Sequence, residues 1–292
     1  MPRYVGRHTK RNWTKILRRS LVGVLILLVI LYPLVEPLIV QVEEKNLSAS
    51  DLPDGVERIR VVYLTDIHDR AFFNSLWLNM LVRQVNSLYG DLVIFGGDYR
   101  DDPAGAIRFF EKLPKIHARY GVCAVLGSRD RPEDPAQLSA LINAMHSKSV
   151  VPLVNDVLPL RLGQGTIYIA GTDDVHHGQP DIPAVSSQVR REDYVIYASH
   201  SPAVIPESLN ATDMNGKNGW YDLGLFGETH GGQIALAGNL LKLSDVSDRY
   251  RQGWLQENRI NLLISRGIGM SVVPFRLFCG PQIHVITLVN DR

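Results

Sequence analysis

Disulfide chemistry is the first thing this chain lacks. Its 292 residues hold two cysteines, Cys123 and Cys279. Both sit in apolar surroundings without zinc-type spacing, which excludes a disulfide framework and a cysteine-bound zinc site. Two buried thiols are the expectation. Strong net charge is lacking too, although the formal +1 hides an asymmetry. The first 20 residues carry seven bases (Arg3, Arg7, Lys10, Arg11, Lys15, Arg18, Arg19) and no acid. Subtracting those seven from 31 Lys and Arg leaves 24 against 30 Asp and Glu, a net −6. An acidic body excludes a nucleic-acid partner bound by phosphate neutralisation. Internal repeats and low-complexity tracts are absent. So are a P-loop, a G-x-S-x-G elbow and a dinucleotide fingerprint in strand-to-helix context.

What is present begins with a long apolar run. From Ser20 to Val35 no residue is charged, and after Glu36 the run continues to Val40. A helix over residues 20–40 would be about 31 Å long, matching a bilayer core of roughly 30 Å. Residues 20–41 therefore read as a transmembrane anchor, with Pro33 and Pro37 fraying its last turn. Glu36 is expected near the outer boundary, in reach of water. No A-x-A site follows, so the anchor reads as retained. Residues 1–19 form a basic tail, which places the N-terminus in the cytoplasm and the body outside it. Residues 42–56 read as a polar linker, leaving 57–292 as one domain.

That domain alternates strands and helices. Apolar strands are expected near 59–64, 91–95, 122–126, 150–154, 167–170, 194–198, 223–226 and 262–265. One or two closing strands are expected within 275–289. Helices are expected over 73–89, 104–119 and 135–147. The composition is α/β with two packed sheets.

Five of the strands end in polar residues of one kind. The first runs into Asp66-Ile67-His68 and the second into Gly96-Gly97-Asp98. The third meets Gly127-Ser128-Arg129-Asp130. The others meet His200 and Gly227-Glu228-Thr229-His230. In open α/β sheets ligands bind beyond the carboxyl ends of strands. One such histidine is unremarkable in a core, but five loaded strand ends describe a site. Asp69, next to His68, reads as a solvated turn acid. The loop Gly171-Thr172-Asp173-Asp174-Val175-His176-His177-Gly178 follows another strand.

The ordered set D-x-H, G-G-D, G-S-R-D, His200 and G-E-T-H resembles the calcineurin-like metallophosphoesterase family over residues 57–292. The contexts "GETHGGQI" and "SRGIGMSVVPFRLFCGPQI" resemble its membrane-associated branch, which includes UDP-2,3-diacylglucosamine hydrolase-like proteins. The resemblance implies a four-layer α/β/β/α sandwich, here preceded by one transmembrane helix. It implies one or two divalent metal ions as cofactors. Asp66, His68, Asp98 and His230 would hold the first. Asp98, His200 and the positions of Ser128 and Glu228 would hold the second. It also implies attack of a metal-bound hydroxide on a phosphoester or pyrophosphate. Asn and His are the family residues at the last two positions, so the second site is altered. A carboxylate at 228 would favour Mn²⁺ or Mg²⁺ over Zn²⁺. Arg129 replaces a histidine; it cannot act as an acid near neutrality, but it can clamp phosphate and stabilise developing charge. Asp98 and Arg129 are thus the catalytic candidates, and Arg129, His176 and His177 the substrate contacts. The expected partners are the membrane and a phosphorylated small molecule or lipid. The contrasting expectation is a degenerate member that only binds a phosphorylated ligand. The sequence leaves the oligomeric state open.

Overall fold

The computed structural model describes residues 8–69, 75–236, 239–240, 246–271 and 273–292. The first helix, α1, spans His8–Val35 with Pro33 inside it. Among the described residues it supplies the one segment long and apolar enough to cross a membrane, Trp13–Leu38, with mean hydropathy 2.4. A 3-10 turn at Glu36–Leu38 follows. The chain then enters β1 (Gln41–Ser48), where the sequence reading places a linker. Only Leu47 and the neighbouring Ala49 are buried there. The strand is held mainly by its parallel backbone pairing to the last strand, with Gln41 opposite Gln282 and Ser48 opposite Val289.

The body continues as β2 (Arg58–Leu64), α2 (Ser75–Ser87), β3 (Leu92–Phe95), α3 (Pro103–Lys112), β4 (Val122–Ala124), α4 (Pro135–Ser147) and β5 (Val150–Pro152). Next come β6 (Asp156–Leu162), β7 (Gly165–Gly171), α5 (Ile182–Ser186), β8 (Val195–Ala198), α6 (Ile205–Asn210) and β9 (Leu223–Phe226). A short hairpin, β10 (Ala235–Leu236) and β11 (Asn239–Leu240), precedes β12 (Gly253–Glu257), β13 (Ile260–Ile264) and β14 (Gln282–Val289). Asp102 and Asp134 cap α3 and α4, each with proline at the first helical position, the preferred N-terminal arrangement. The α3 helix stops at Lys112, short of the expected residue 119. Leu113 precedes Pro114 and is forced into an extended conformation.

Two six-stranded sheets result, ordered β1-β14-β2-β3-β4-β5 and β12-β13-β9-β8-β7-β6. The run β2 to β5 is parallel, as is β13-β9-β8-β7. Strand periodicity sorts the side chains. Ile59, Val61 and Tyr63 of β2 join Ile167, Ile196, Leu223 and Leu225 in the core between the sheets. Val62 and Leu64 face Leu81, Val82 and Phe109 of α2 and α3. Val195, Tyr197 and Phe226 pack outward with Ile182 and Ile205 of α5 and α6. The layers are therefore helix, sheet, sheet, helix.

The register also fixes where α1 joins the body. Gln282 begins β14 and lies opposite Gln41, while His284 lies opposite Tyr63 near the end of the antiparallel β2. The first residue of β1 thus sits at the carboxyl edge of β2. Glu36 does not reach water there. It is 6% exposed, and its Oε2 accepts the Phe278 N–H at 2.8 Å.

Candidate metal centre

Sharp turns follow the strands and leave five of the seven ligand candidates in strained backbone. Asp66, His68, Asp98, Glu228 and His230 all have left-handed φ, between 41° and 65°. Such non-glycine conformations cost of order 1–3 kcal/mol each and cluster at functional sites. The loops hold one another in this shape. Asp66 N–H donates to Gly97 O, His68 N–H to Asp98 O, and Gly227 N–H to His200 O. Asp130, fully buried, accepts the N–H groups of Asp98, Tyr99 and Gly127 at 2.6–2.9 Å. A β-carbon at Gly227 would strike Thr65 and the Asp66 carboxylate, so only glycine lets that loop close over the acid.

The side chains converge. Asp98 Oδ2 lies 3.5 Å from both His68 Nε2 and His200 Nε2. Asp66 Oδ1 lies 3.4 Å from His230 Nε2 and 3.9 Å from His200 Nε2. His230 Nε2 is 3.2 Å from His68 Nε2. Two groups, Asp66–His68–His230 and Asp66–Asp98–His200, have ligand atoms close enough for an ion each, and all five residues are buried. Asp66 belongs to both groups, and Asp98 of the second also reaches His68 of the first at 3.5 Å.

The donors fit a divalent cation. His200 Nδ1 is tied to Gly96 O at 2.8 Å, and its Nε2 is buried without a hydrogen-bond partner. His68 Nδ1 is held by Asp101 at 3.0 Å, the carboxylate–histidine arrangement that orients a ligand and raises its basicity. Asp98 Oδ1 accepts the Arg129 N–H at 2.8 Å, which leaves Oδ2 for the centre. The charges are frustrated as they stand. Burial pushes the Asp66 carboxyl up to about 6. Burial also penalises the Asp98 carboxylate, but the His200 and His68 imidazoles outweigh it and hold Asp98 below the usual range. Burial opposes charge on His200, yet Asp98 raises it well above an ordinary imidazole. Burial and the neighbouring His68 and Arg276 depress His230.

The remaining candidates divide. Glu228 lies at the centre's edge, with Oε1 2.9 Å from His176 Nε2 and Oε2 buried without a partner. Ser128 is half-buried between Gly127 and Arg129. Arg129 is exposed. His177 is set apart, on a neighbouring depression lined by Arg131, Glu133 and Asp173. Asp69 is not the solvated turn acid of the sequence reading. It is 8% exposed, its N–H donates to Tyr99 O, its Oδ1 has no partner, and burial pushes it to about 6. Sequence reasoning missed Asp101 and the framing role of Asp130. The acid pair following G-G-D was the only signal for Asp101.

The fold and this cluster define a two-sheet α/β protein with a centre able to hold divalent metal. No protein-family model matches the chain. It is 27% identical over 263 residues to "Uncharacterized metallophosphoesterase YkuE" of Bacillus subtilis, covering 88% of each chain. It is 23% identical over 239 residues to "Phosphodiesterase YaeI" of Escherichia coli, covering 81% of this chain and 84% of that protein. "Transmembrane protein with metallophosphoesterase domain" of Bos taurus is 28% identical over 200 residues, 63% of this chain and 43% of that one. Among solved structures, phosphopantetheinyl hydrolase of Mycobacterium tuberculosis aligns with TM-score 0.42 and 10% identity, over 74% of this chain and 94% of that chain. Those relatives carry metallophosphoesterase or phosphodiesterase names, and the buried cluster of this chain has the donor set of a metal site.

Proposed function

We propose that this protein is a membrane-anchored phosphoesterase that hydrolyses a phosphoester or pyrophosphate bond in a substrate held at the bilayer surface. The observation that carries the reading is Asp98 Oδ2, equidistant at 3.5 Å from His68 and His200. A carboxylate so placed can serve two cations at once. Asp66, His68, Asp98 and His230 would hold the first ion; Asp98, His200 and Glu228, with Ser128 beside them, would hold the second. When bound, divalent ions supply Lewis acidity and an activated water at neutral pH. The oxygen-rich donor set favours Mn²⁺. Arg129, exposed beside Asp98, clamps the phosphoryl oxygens, and His176 faces the same edge. The basic N-terminal tail supports a cytoplasmic N-terminus and an outward-facing body. Anchor and cluster share one sheet edge, which supports a lipid-linked phosphate as substrate. UDP-2,3-diacylglucosamine exemplifies that chemistry.

The test is hydrolysis of a chromogenic phosphodiester by the full chain in detergent with added Mn²⁺, beside Asp98→Asn. Turnover that falls at least about a hundredfold in the variant supports the reading; equal rates overturn it. The altered positions favour one second reading, a phospho-ligand binder without turnover. Ser128 offers a short neutral hydroxyl, and Glu228 is already paired with His176. If the wild type is inert and Ser128→Asn with Glu228→His gains turnover, that second reading holds.

A further inference from the structure

The outer surface around the exit of α1 is apolar where an acidic, water-soluble body should be polar. Leu38 is 61% exposed, Met80 59% and Phe278 63%. They are neighbours of the anchor rather than scattered residues. Phe278 sets its ring 5.7 Å from that of Tyr32 in the last turn of α1. The same loop is bonded to the helix end through Arg276 N–H to Pro33 O and Phe278 N–H to Glu36 Oε2. Leu38 and Met80 line one groove of about 340 Å³, together with Val40, Trp77 and Leu81.

The α2 helix explains how the patch is made. Its inward face, Leu78, Leu81, Val82 and Val85, is buried in the core. Beside the small polar Ser75, Asn79 and Ser87, its outward side presents Leu76, Met80 and Arg83, spaced four and three residues apart and all exposed. Such spacing puts them on one line along the helix. A solvent-facing stripe would normally carry charges of both signs. This helix has no acid and a single base, Arg83, in a body whose net charge is negative. Apolar side chains followed by a cation suit the boundary between acyl chains and lipid phosphate.

We infer that this face is a second membrane contact, with Leu38, Met80 and Phe278 seated in the interfacial zone of the bilayer and Arg83 at the headgroup phosphates. The occupant is lipid because the patch is continuous with the end of α1. The inference rests on the proposed anchor and deepens that reading. The seat lies at the carboxyl edge of β2, where Asp66 and His68 are held, so the centre would meet phosphates of lipids without their leaving the membrane. Phe278 is two residues from Arg276, whose guanidinium lies 3.4 Å from His230 Nδ1.

The test uses the full chain reconstituted in vesicles of phosphatidylcholine and phosphatidylglycerol. The two native cysteines are buried, so single cysteines can be labelled with a small fluorophore. Met80→Cys and Leu38→Cys probe the seat, Val24→Cys the anchor, and Gln188→Cys the exposed turn that follows α5. Lipids carrying a nitroxide near the headgroup should quench Met80→Cys and Leu38→Cys at least about twofold more than Gln188→Cys. Lipids carrying it deep in the chain should quench Val24→Cys. Quenching at Val24 with none beyond background at Met80 and Leu38 overturns the seat and leaves the anchor standing. No quenching at Val24 overturns the anchor, and the seat with it. Disulfide-linked dimers through Met80→Cys, without quenching, would give the face to a second copy and overturn the inference.

Discussion

His176 Nε2 lies 2.9 Å from Glu228 Oε1, across 52 positions of sequence. The loop after β7 thus brings an imidazole onto the carboxylate at position 228. Glu228 keeps Oε2 buried and unpartnered, while His176 fixes the other oxygen. Removing such an orienting partner typically costs 10–100-fold in metal affinity. His176→Ala should therefore weaken the second equivalent of Mn²⁺ by about tenfold or more in a calorimetric titration. The first equivalent, on Asp66, His68 and His230, should be unchanged. Equal weakening of both would show that His176 acts on the whole loop structure.

Arg276 is buried, and Asp66 and Glu36 are the acids that act on its charge. Its guanidinium donates to the carbonyls of Gly269, Cys279 and Arg266 at 2.6–3.0 Å. Burial pulls its pKa down to about 10, which leaves it charged at neutral pH. Arg276→Ala would strand those carbonyls and open a cavity behind His230. Such losses together exceed about 3 kcal/mol. Lysine keeps the charge but not the planar fork, so Arg276→Lys should lose roughly half as much. Urea unfolding in mild detergent measures both, through midpoints at unchanged slope.

The strand ends at Asp66, Asp98, His200 and His230 were legible because each interrupts a continuous apolar run. Strands buried on both faces must be apolar throughout, so a carboxylate or imidazole at their ends stands out. The edge strands β1, β6 and β12 were not legible. The β1 sequence, QVEEKNLS, is polar because mainly its backbone is used, and β6 carries Pro159 because an edge tolerates it. The Glu36–Phe278 bond joins residues 242 positions apart, and no local pattern encodes such a partner. Charge alone suggested that Glu36 faces water, and the fold supplies a backbone N–H instead.

That edge strand gives a prediction about where the chain can be cut. Starting the protein at residue 46 removes most of β1 and the Glu43 carboxylate that accepts from Gln282 Nε2 at 2.8 Å. It also removes Glu36 from Phe278. The β14 strand, with Ile283, Val285 and Ile286 fully buried, becomes an open apolar edge, a template for aggregation. Against a chain starting at residue 36, the shorter one should melt about 5–10 °C lower. It should also self-associate. Thermal unfolding and light scattering would show both; equal melting would mean that β1 contributes nothing to the sheet.

Asp222 sets a pH dependence far from the metal centre. It precedes β9, and its Oδ2 accepts the Val195 N–H at 2.8 Å. Burial pushes its carboxyl from 3.8 up to about 7; the Val195 N–H opposes this, and Asp51 and Asp193 add to it. The folded chain therefore keeps a proton that the unfolded chain loses above about pH 4. Where the native state binds more protons, stability falls as pH rises. The penalty grows from about pH 4 and levels off above about pH 7. Asn at 222 offers the same acceptor to Val195 and carries no charge. Asp222→Asn should stabilise the protein at pH 8 by about 1–3 kcal/mol, with the gain shrinking steadily and vanishing near pH 4. Urea midpoints at four pH values test the sign: a gain that grew toward acid would mean that the carboxylate, not the acid, is the form the fold prefers.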